Sequence, residues 1–553
     1  MTIRIAGEAG QGVLTTGGLL VGTFAELGLH VLATRSYMSR IRGGLNWYDV
    51  RIHDGLLFGP APQADLLVAL SDVALRTLRE DVSEGGLVLY NGAEADGALA
   101  IDLGAVAREA GGSKLYANTV AAGAVLGLLG YDVGVLEAFL TKEFAKKGDE
   151  VVAGNVACAR KGAELAGAAG GKLPAAPEPG GQARRVYDGA TAIGMAAAAA
   201  GVKLVTAYPM TPGTATFTYL AGVADEYGIV VEQAEDEIAA VNMICGAAYA
   251  GAPAATVTSG GGFALMAEGL SLAGIMELPI LVVVAQRPGP ATGLPTRTAQ
   301  QDLLFALRAG HGEFARAIFA PGTVRQCYDV TRRALEAAHK YQTPAILLTD
   351  QFLQDAEQTL DALPAGPDPI DRHVAAGAAE DYVRYAVTDS GVSPRAVPGA
   401  AALVVCDSDE HTPDGHLTED IEAHLAQQDK RMRKQVGLAS ESLAPERYGP
   451  ADAETLLVTW GSTYGPAREA VDLLAGRGLS AAMLHFAQVW PLDVEAVRGA
   501  IGSPKRLACV EGNQTGQFAT LLRSVGLVGD CELVTNYTGL PFTGSEIAER
   551  IAQ

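Results

Sequence analysis

Three α/β domains in tandem, joined by two poorly packed connectors, make up the architecture this sequence predicts. Three observations carry that expectation. Short apolar runs alternate with alanine- and glycine-rich segments of helical length, the pattern of strands joined by crossover helices. Two stretches interrupt the alternation, residues 168–185 and 361–449, both rich in Pro, Gly and polar or charged side chains. The chain of 553 residues, 49% hydrophobic and with 67 glycines, is long enough for several cores in which helices pack closely on sheets.

The first domain is placed at residues 1–167. "TIRIAG" reads as a strand, "EAGQGVLTTGG" as a glycine loop entering a helix, and "HVLATRS", "ADLLVAL" and "GGLVLY" as further strands. Its glycines at 7, 10 and 12 run G-x-x-G-x-G, and the second strand meets Arg35 where a dinucleotide site would have an acid. A nicotinamide dinucleotide is therefore not expected, although the N–H groups at such a helix mouth suit an anion or phosphate. Arg40 and Arg42 stand beside the Gly43-Gly44 turn.

Residues 168–185 form the linker. The middle domain, 186–360, offers "KLVTAYP", "GIVVEQ", "AATVTS", "PILVVVA" and "PAILLTD" as strands. Residues 361–449 read as a connector containing the acid- and histidine-rich "HTPDGHLTEDIEAH" and the basic "KRMRK", the latter expected as an exposed helical face. The third domain, 450–553, contributes "TLLVTWGS", "SAAMLHF" and "RLACVEGN".

A net charge of −22 argues against nucleic acid as a partner, because phosphate contacts need a basic surface. The six cysteines, at 158, 245, 327, 406, 509 and 531, contain no C-x-x-C pair and frame neither zinc nor an iron–sulfur cluster. No residue of this chain is expected to bind a metal. Scattered thiols, no apolar leader and no membrane-length apolar run lead us to expect a cytoplasmic protein with no membrane association.

The middle domain carries the chemistry. "VVEQAEDEIAAVNMICGAAYAG" concentrates Glu232, Glu235, Asp236 and Glu237 ahead of a helix whose inner face continues as Ala240, Val241, Ile244, Cys245 and Ala248. Dipole complementarity accounts for one or two exposed acids, worth about 0.3–1 kcal/mol each, and poorly for an acid on the buried stripe. "AYPMTPGT" holds Thr211 in a loop stiffened by Pro209 and Pro212. "TSGGG" ends a strand in glycines that let a flat ligand approach the backbone. "RPGPATGLPTRTAQQDL" supplies Arg287, Thr292, Thr296 and Arg297. Loops at the carboxyl ends of strands in an open parallel sheet share one crevice.

"EIAAVNMICGAAYAG" and "TSGGG" resemble the helix and turn of thiamine-diphosphate enzymes that meet the cofactor's aminopyrimidine ring. "YPMTPGT", "AEDEIAA" and "RPGPATGLPTRTAQQDL" resemble more narrowly the α subunit of 2-oxoacid:ferredoxin oxidoreductases. "GEAGQG" and "RIRGG" resemble the γ subunit of that family, and "VTWGSTYGPAREAVDLLAGRG" with "VEGNQTGQ" its transketolase-carboxyl-terminal-like domain. The resemblance implies a γ-type domain, a thiamine-diphosphate pyrimidine-binding domain and a transketolase C-terminal-like domain in that order.

The resemblance assigns Glu237 to the cofactor's ring nitrogen N1′, with Tyr208, Pro209, Ser259, Gly260 and Gly261 lining the cofactor. It assigns Thr211, Arg287 and Thr296 to the 2-oxoacid. Such a glutamate must be buried, so that its raised pKa lets it share a proton near neutrality. The resemblance also implies Arg40 and Arg42 as coenzyme A contacts. Gly213 and Ala291 replace serines frequent in the family, which bears on fine specificity.

No Gly-Asp-Gly metal-binding segment occurs. The resemblance therefore implies a β subunit bringing Mg²⁺, the diphosphate pocket and a [4Fe–4S] cluster, in an (αβ)₂ heterotetramer. The implied reaction is reversible: a 2-oxoacid, preferably 2-oxoglutarate, and coenzyme A give acyl-CoA (succinyl-CoA), CO₂ and reduced ferredoxin. Pyruvate or a broad 2-oxoacid range is the alternative substrate, and a non-redox thiamine enzyme the alternative class.

Overall fold

The computed structural model describes residues 1–38, 44–169, 173, 175–375, 382–399 and 403–553, so Arg40 and Arg42 lie outside the described residues. The chain divides into two compact units, Met1–Tyr187 with Ala356–Ala362, and Asp188–Asp355 with Leu363–Gln553.

In the first unit the sheet order is Leu99–Ile101, Val82–Asn91, Ala64–Ala69, Thr2–Glu8, Leu45–His53, His30–Ser36, Glu357–Leu360, Arg185–Asp188. Thr2–Glu8 runs parallel to Ala64–Ala69 and antiparallel to Leu45–His53. One buried ion pair marks the register: Arg4 lies opposite Asp49 and grips it with bonds of 2.7 and 2.9 Å. A one-residue slip would move every side chain to the wrong face and leave both charges buried alone. Glycine content has a local use here. The helices Ala117–Leu129 and Asp149–Ala168 cross so closely that a Cβ on Gly123 or Gly162 would collide with the facing backbone.

Residues 357–360, which the sequence reading places at the end of the middle domain, pair antiparallel with His30–Ser36 instead. Thr359 accepts from the Val31 N–H at 2.8 Å, and Glu357 meets Arg35 and the Tyr48 hydroxyl. These four residues cover backbone groups that a sheet edge would leave unpaired.

The second unit holds two sheets on one shared core. The larger runs Gln488–Trp490, Ala317–Phe319, Ala345–Asp350, Ile280–Gln286, Ala254–Thr258, Leu204–Ala207, Val230–Gln233. All neighbours are parallel except the first pair. Ile280–Gln286 is buried at every position, as a strand covered by helices on both faces must be. The chain starts at Leu204–Ala207, goes outward to Val230–Gln233, then returns to the other side at Ala254–Thr258. That reversal creates a crevice between Leu204–Ala207 and Ala254–Thr258 at their carboxyl ends. The smaller sheet orders Glu446–Tyr448, Ala481–Phe486, Thr455–Trp460, Arg506–Glu511 and Glu532–Thr535, the first strand antiparallel and the rest parallel.

The expected connector contains a 20-residue helix, Ile421–Ser440, capped by Asp420. "KRMRK" lies on it, and the expectation of an exposed face is overturned: Lys430, Arg431 and Lys434 are buried. Their partners explain it. Lys430 meets the buried Glu277 at 2.7 Å, Lys434 closes on the same carboxylate, and Arg431 grips Glu410 with bonds of 2.9 and 2.7 Å. Buried charges persist only when paired in this way. His411 is also buried, stacked on Tyr385, and His424 bonds Glu410 at 2.6 Å. Among the described residues no three metal-ligating side chains converge, and no helix is long and apolar enough to cross a membrane.

Candidate functional site

The strand Val230–Gln233 leads through Ala234 to the helix Glu237–Tyr249. Asp236 starts it, its carboxylate accepting the Ala239 N–H at 2.8 Å. Glu232 and Glu235 face solvent. Glu237 differs from all three. It is 3% exposed and belongs to a stripe with Ala240, Val241, Ile244, Cys245 and Ala248, the i, i+3, i+4 spacing of a buried helix face. A buried bond from the Thr206 hydroxyl to the Ala240 carbonyl, 2.7 Å, ties this turn to the neighbouring strand.

The Glu237 carboxyl lies against Gly262, where an added Cβ would collide with both the carboxyl and the Thr258 hydroxyl. Its Oε1 is buried without a hydrogen-bond partner within the chain. Burial pushes the carboxyl above its ordinary range, and the neighbouring Asp236 charge adds to the rise. An unpaired buried carboxyl oxygen costs about 1–3 kcal/mol and calls for a partner from outside the chain. The Ser259 hydroxyl, at the end of the adjacent strand, is likewise buried without a partner. Gly260 and Gly261, the next residues, open the helix Gly260–Leu265.

Two other sequence-predicted residues come together. Arg287 follows Ile280–Gln286, and its Nη1 donates to the Thr211 carbonyl at 2.7 Å. The guanidinium therefore spans from one strand end to the Tyr208–Thr211 loop, and burial lowers its pKa. Tyr208 is 43% exposed at the mouth of this loop, beside the half-buried Pro209. Thr296 is buried in the loop after Arg287, while Thr292 faces solvent.

That loop is held at its far end by residues the sequence reading did not assign. Gln300 exchanges two bonds with Gly512, 2.8 and 2.7 Å, and donates to the Trp460 carbonyl at 2.7 Å. Asn513 donates to the Gln300 carbonyl at 3.0 Å, and fully buried Glu511 accepts from Asn513, Phe518 and Ala519. The polar E-G-N following an apolar strand was the available signal. Asp302 was also missed. Its carboxyl crowds Gly260, its Oδ2 has no partner within the chain, and burial raises it to about 6.

The site thus offers a buried carboxyl with a raised pKa beside glycine backbone, and an arginine anchored to a proline-stiffened loop. A planar heteroaromatic ring with a basic nitrogen fits the first, and a carboxylate the second.

Comparison with known proteins agrees with this chemistry. Residues 195–430 match the family model of the thiamine-diphosphate-binding domain of pyruvate flavodoxin/ferredoxin oxidoreductase. Residues 2–165 match the pyruvate ferredoxin/flavodoxin oxidoreductase model, and 447–527 the transketolase C-terminal domain. The 2-oxoglutarate oxidoreductase subunit KorA of Mycobacterium tuberculosis is 31% identical over 100% of this chain and 91% of its own. Subunit alpha of 2-oxoacid:ferredoxin oxidoreductase 2 from Aeropyrum pernix is 29% identical over 99% and 96%. The structure of 2-oxoglutarate:ferredoxin oxidoreductase from Magnetococcus marinus, with 2-oxoglutarate, coenzyme A and succinyl-CoA bound, superposes with a TM-score of 0.93. It is 32% identical and covers 100% of this chain and 99% of that one. With its fold, its buried glutamate and these relatives in agreement, the chain belongs to the 2-oxoacid:ferredoxin oxidoreductases, as an α subunit.

Proposed function

We propose that this α subunit acts on 2-oxoglutarate, in the reversible conversion of 2-oxoglutarate and coenzyme A to succinyl-CoA, CO₂ and reduced ferredoxin. The observation carrying this reading is Glu237, a buried carboxyl with an unpartnered oxygen beside Gly262 at the sheet's crevice. When bound, thiamine diphosphate supplies a nucleophilic carbon for the 2-oxo group and a sink for the electron pair left by departing CO₂. Glu237 holds a proton toward ring nitrogen N1′, and burial, which raises its carboxyl, favours that protonated form. Gly260 and Gly261 leave room for the ring to approach, and Tyr208, Pro209 and Ser259 complete its surroundings. Arg287 takes the C1 carboxylate through its planar fork, with Thr211 and Thr296 orienting the keto acid by their hydroxyls.

The relatives named for 2-oxoglutarate favour that substrate. The absence of a Gly-Asp-Gly segment and of a cysteine frame supports a β subunit that brings Mg²⁺, the diphosphate pocket and the [4Fe–4S] cluster, in an (αβ)₂ assembly. Exposed apolar side chains on the unit that carries the crevice, Tyr208, Ile238, Leu265 and Leu294, suit such a partner. Coenzyme A is assigned to the γ-type domain, with Arg40 and Arg42 as its phosphate contacts, and the assembly to the reducing cytoplasm.

The test is reconstitution with the β subunit and measurement of coenzyme-A-dependent viologen reduction across several 2-oxoacids. We expect 2-oxoglutarate to give the highest kcat/KM, and Glu237→Ala to lose at least about 10²-fold in kcat. A preference for pyruvate would overturn the substrate, and an undiminished Glu237→Ala complex would overturn the site.

A further inference from the structure

Cys509 and Cys531 lie outside the crevice, 22 positions apart in sequence, yet their Sγ atoms are 3.7 Å from each other. Cys509 sits within Arg506–Glu511 and is fully buried. Cys531 immediately precedes the neighbouring parallel strand, Glu532–Thr535, and is partly exposed. Arg523 points its Nη2 at the Cys531 sulfur, 3.4 Å away, while its Nε holds the Gly529 carbonyl at 3.1 Å. The two thiols are therefore unlike: one is partly exposed beside a cation, the other lies behind it in the core.

We propose that Cys531 and Cys509 form a reversible dithiol–disulfide centre, in which Cys531 meets a peroxide-class oxidant and Cys509 resolves the product. Contact with Cys509 and the nearby Arg523 draw the Cys531 thiol down, whereas the same contact and burial push Cys509 up. Cys531 is thus the more readily deprotonated of the two, and the thiolate is the form that reacts. Its sulfur attacks the peroxide: an S–O bond forms, the O–O bond breaks and hydroxide leaves. Cys531 becomes a sulfenic acid, oxidised by two electrons as the peroxide is reduced. The Cys509 sulfur then attacks it. The S–S bond forms, the S–O bond breaks, and the leaving hydroxyl takes the Cys509 proton as water. An S–S bond is about 2.0 Å long, so closure needs an approach of less than about 2 Å, within reach of side-chain rotation at the strand's start.

The other thiols provide an internal control, since Cys158, Cys245 and Cys327 are buried and Cys406 is partly exposed. The reduced full-length chain would be treated anaerobically with one equivalent of hydrogen peroxide, then with N-ethylmaleimide, and mapped by peptide mass. We expect a cross-linked Cys509–Cys531 peptide, lighter by two hydrogens and restored by dithiothreitol, while the remaining cysteines still alkylate. Cys509→Ser should instead leave a dimedone-trappable sulfenic acid at Cys531. Arg523→Gln, which leaves the core untouched, should slow iodoacetamide labelling of Cys531 at pH 7 several-fold. Oxidation falling first on Cys406, or Cys531 remaining fully alkylatable after peroxide, would overturn the proposal.

Discussion

At the residue scale the site depends on what is absent from one position as much as on what is present at another. Gly262 leaves the volume that the Glu237 carboxyl occupies. Gly262→Ala should therefore displace that carboxyl, cost about 1–3 kcal/mol by overpacking, and abolish turnover in the reconstituted complex. Fluorescence titration with thiamine diphosphate and a thermal melt would separate the two effects. A variant that melts like the parent and turns over normally would show that the carboxyl has other room. Asp302 supplies a prediction with a definite sign in pH. Burial raises its carboxyl from 3.8 to about 6, so the folded chain binds the proton more tightly than the unfolded chain. Its contribution to stability must fall as pH rises from about 4 to 6. Asp302→Asn should remove that loss, with a Tm advantage absent at pH 4 and full above pH 6. A uniform shift across the range would contradict the assignment.

At the element scale, the helix Ile421–Ser440 is joined to the turn after Ala267–Ile275 by buried charges rather than by apolar packing alone. Burial by itself would raise the Glu277 carboxyl, but Lys434, Lys430 and Arg384 outweigh it and hold it at about 2. This stabilisation is fully present above the ordinary value of 4.5 and is lost as pH falls toward 2. Glu277→Gln leaves two ammonium groups buried without a counter-charge and should cost about 3–5 kcal/mol in denaturant unfolding. It should also flatten the acid limb of the stability profile. From sequence, "KRMRK" read as a solvated face because five charged or flexible residues in a polar segment usually are one. The acid that buries Lys430 and Lys434, Glu277, lies more than 150 positions earlier, beyond any local pattern. The loop from Arg287 to Asp302 shows the same limit: its residues were legible, but the Gln300–Gly512 clamp joins positions 212 apart.

At the scale of the whole molecule, this chain carries a buried carboxyl with an unpartnered oxygen but no Gly-Asp-Gly segment or cysteine cluster frame. Purified alone it should therefore show no coenzyme-A-dependent viologen reduction and bind no iron. Activity should appear on mixing with the β subunit; turnover by the isolated chain would refute the division of labour. The sequence by itself determined the three-sheet α/β plan, five strands of the middle domain (though not Ala317–Phe319) and the singular position of Glu237. Those features are written in local periodicity: strand runs of apolar residues, and a helix stripe on which one acid falls in phase with alanine and isoleucine. Only the tertiary structure decided that Glu357–Leu360 completes the first sheet, that Gly262 makes room for the carboxyl, and that Asp302, Gln300 and Glu277 meet their neighbours. Each of these depends on groups brought together by chain reversal, and the free energy of such a contact resides in burial and pairing that no stretch of sequence contains alone.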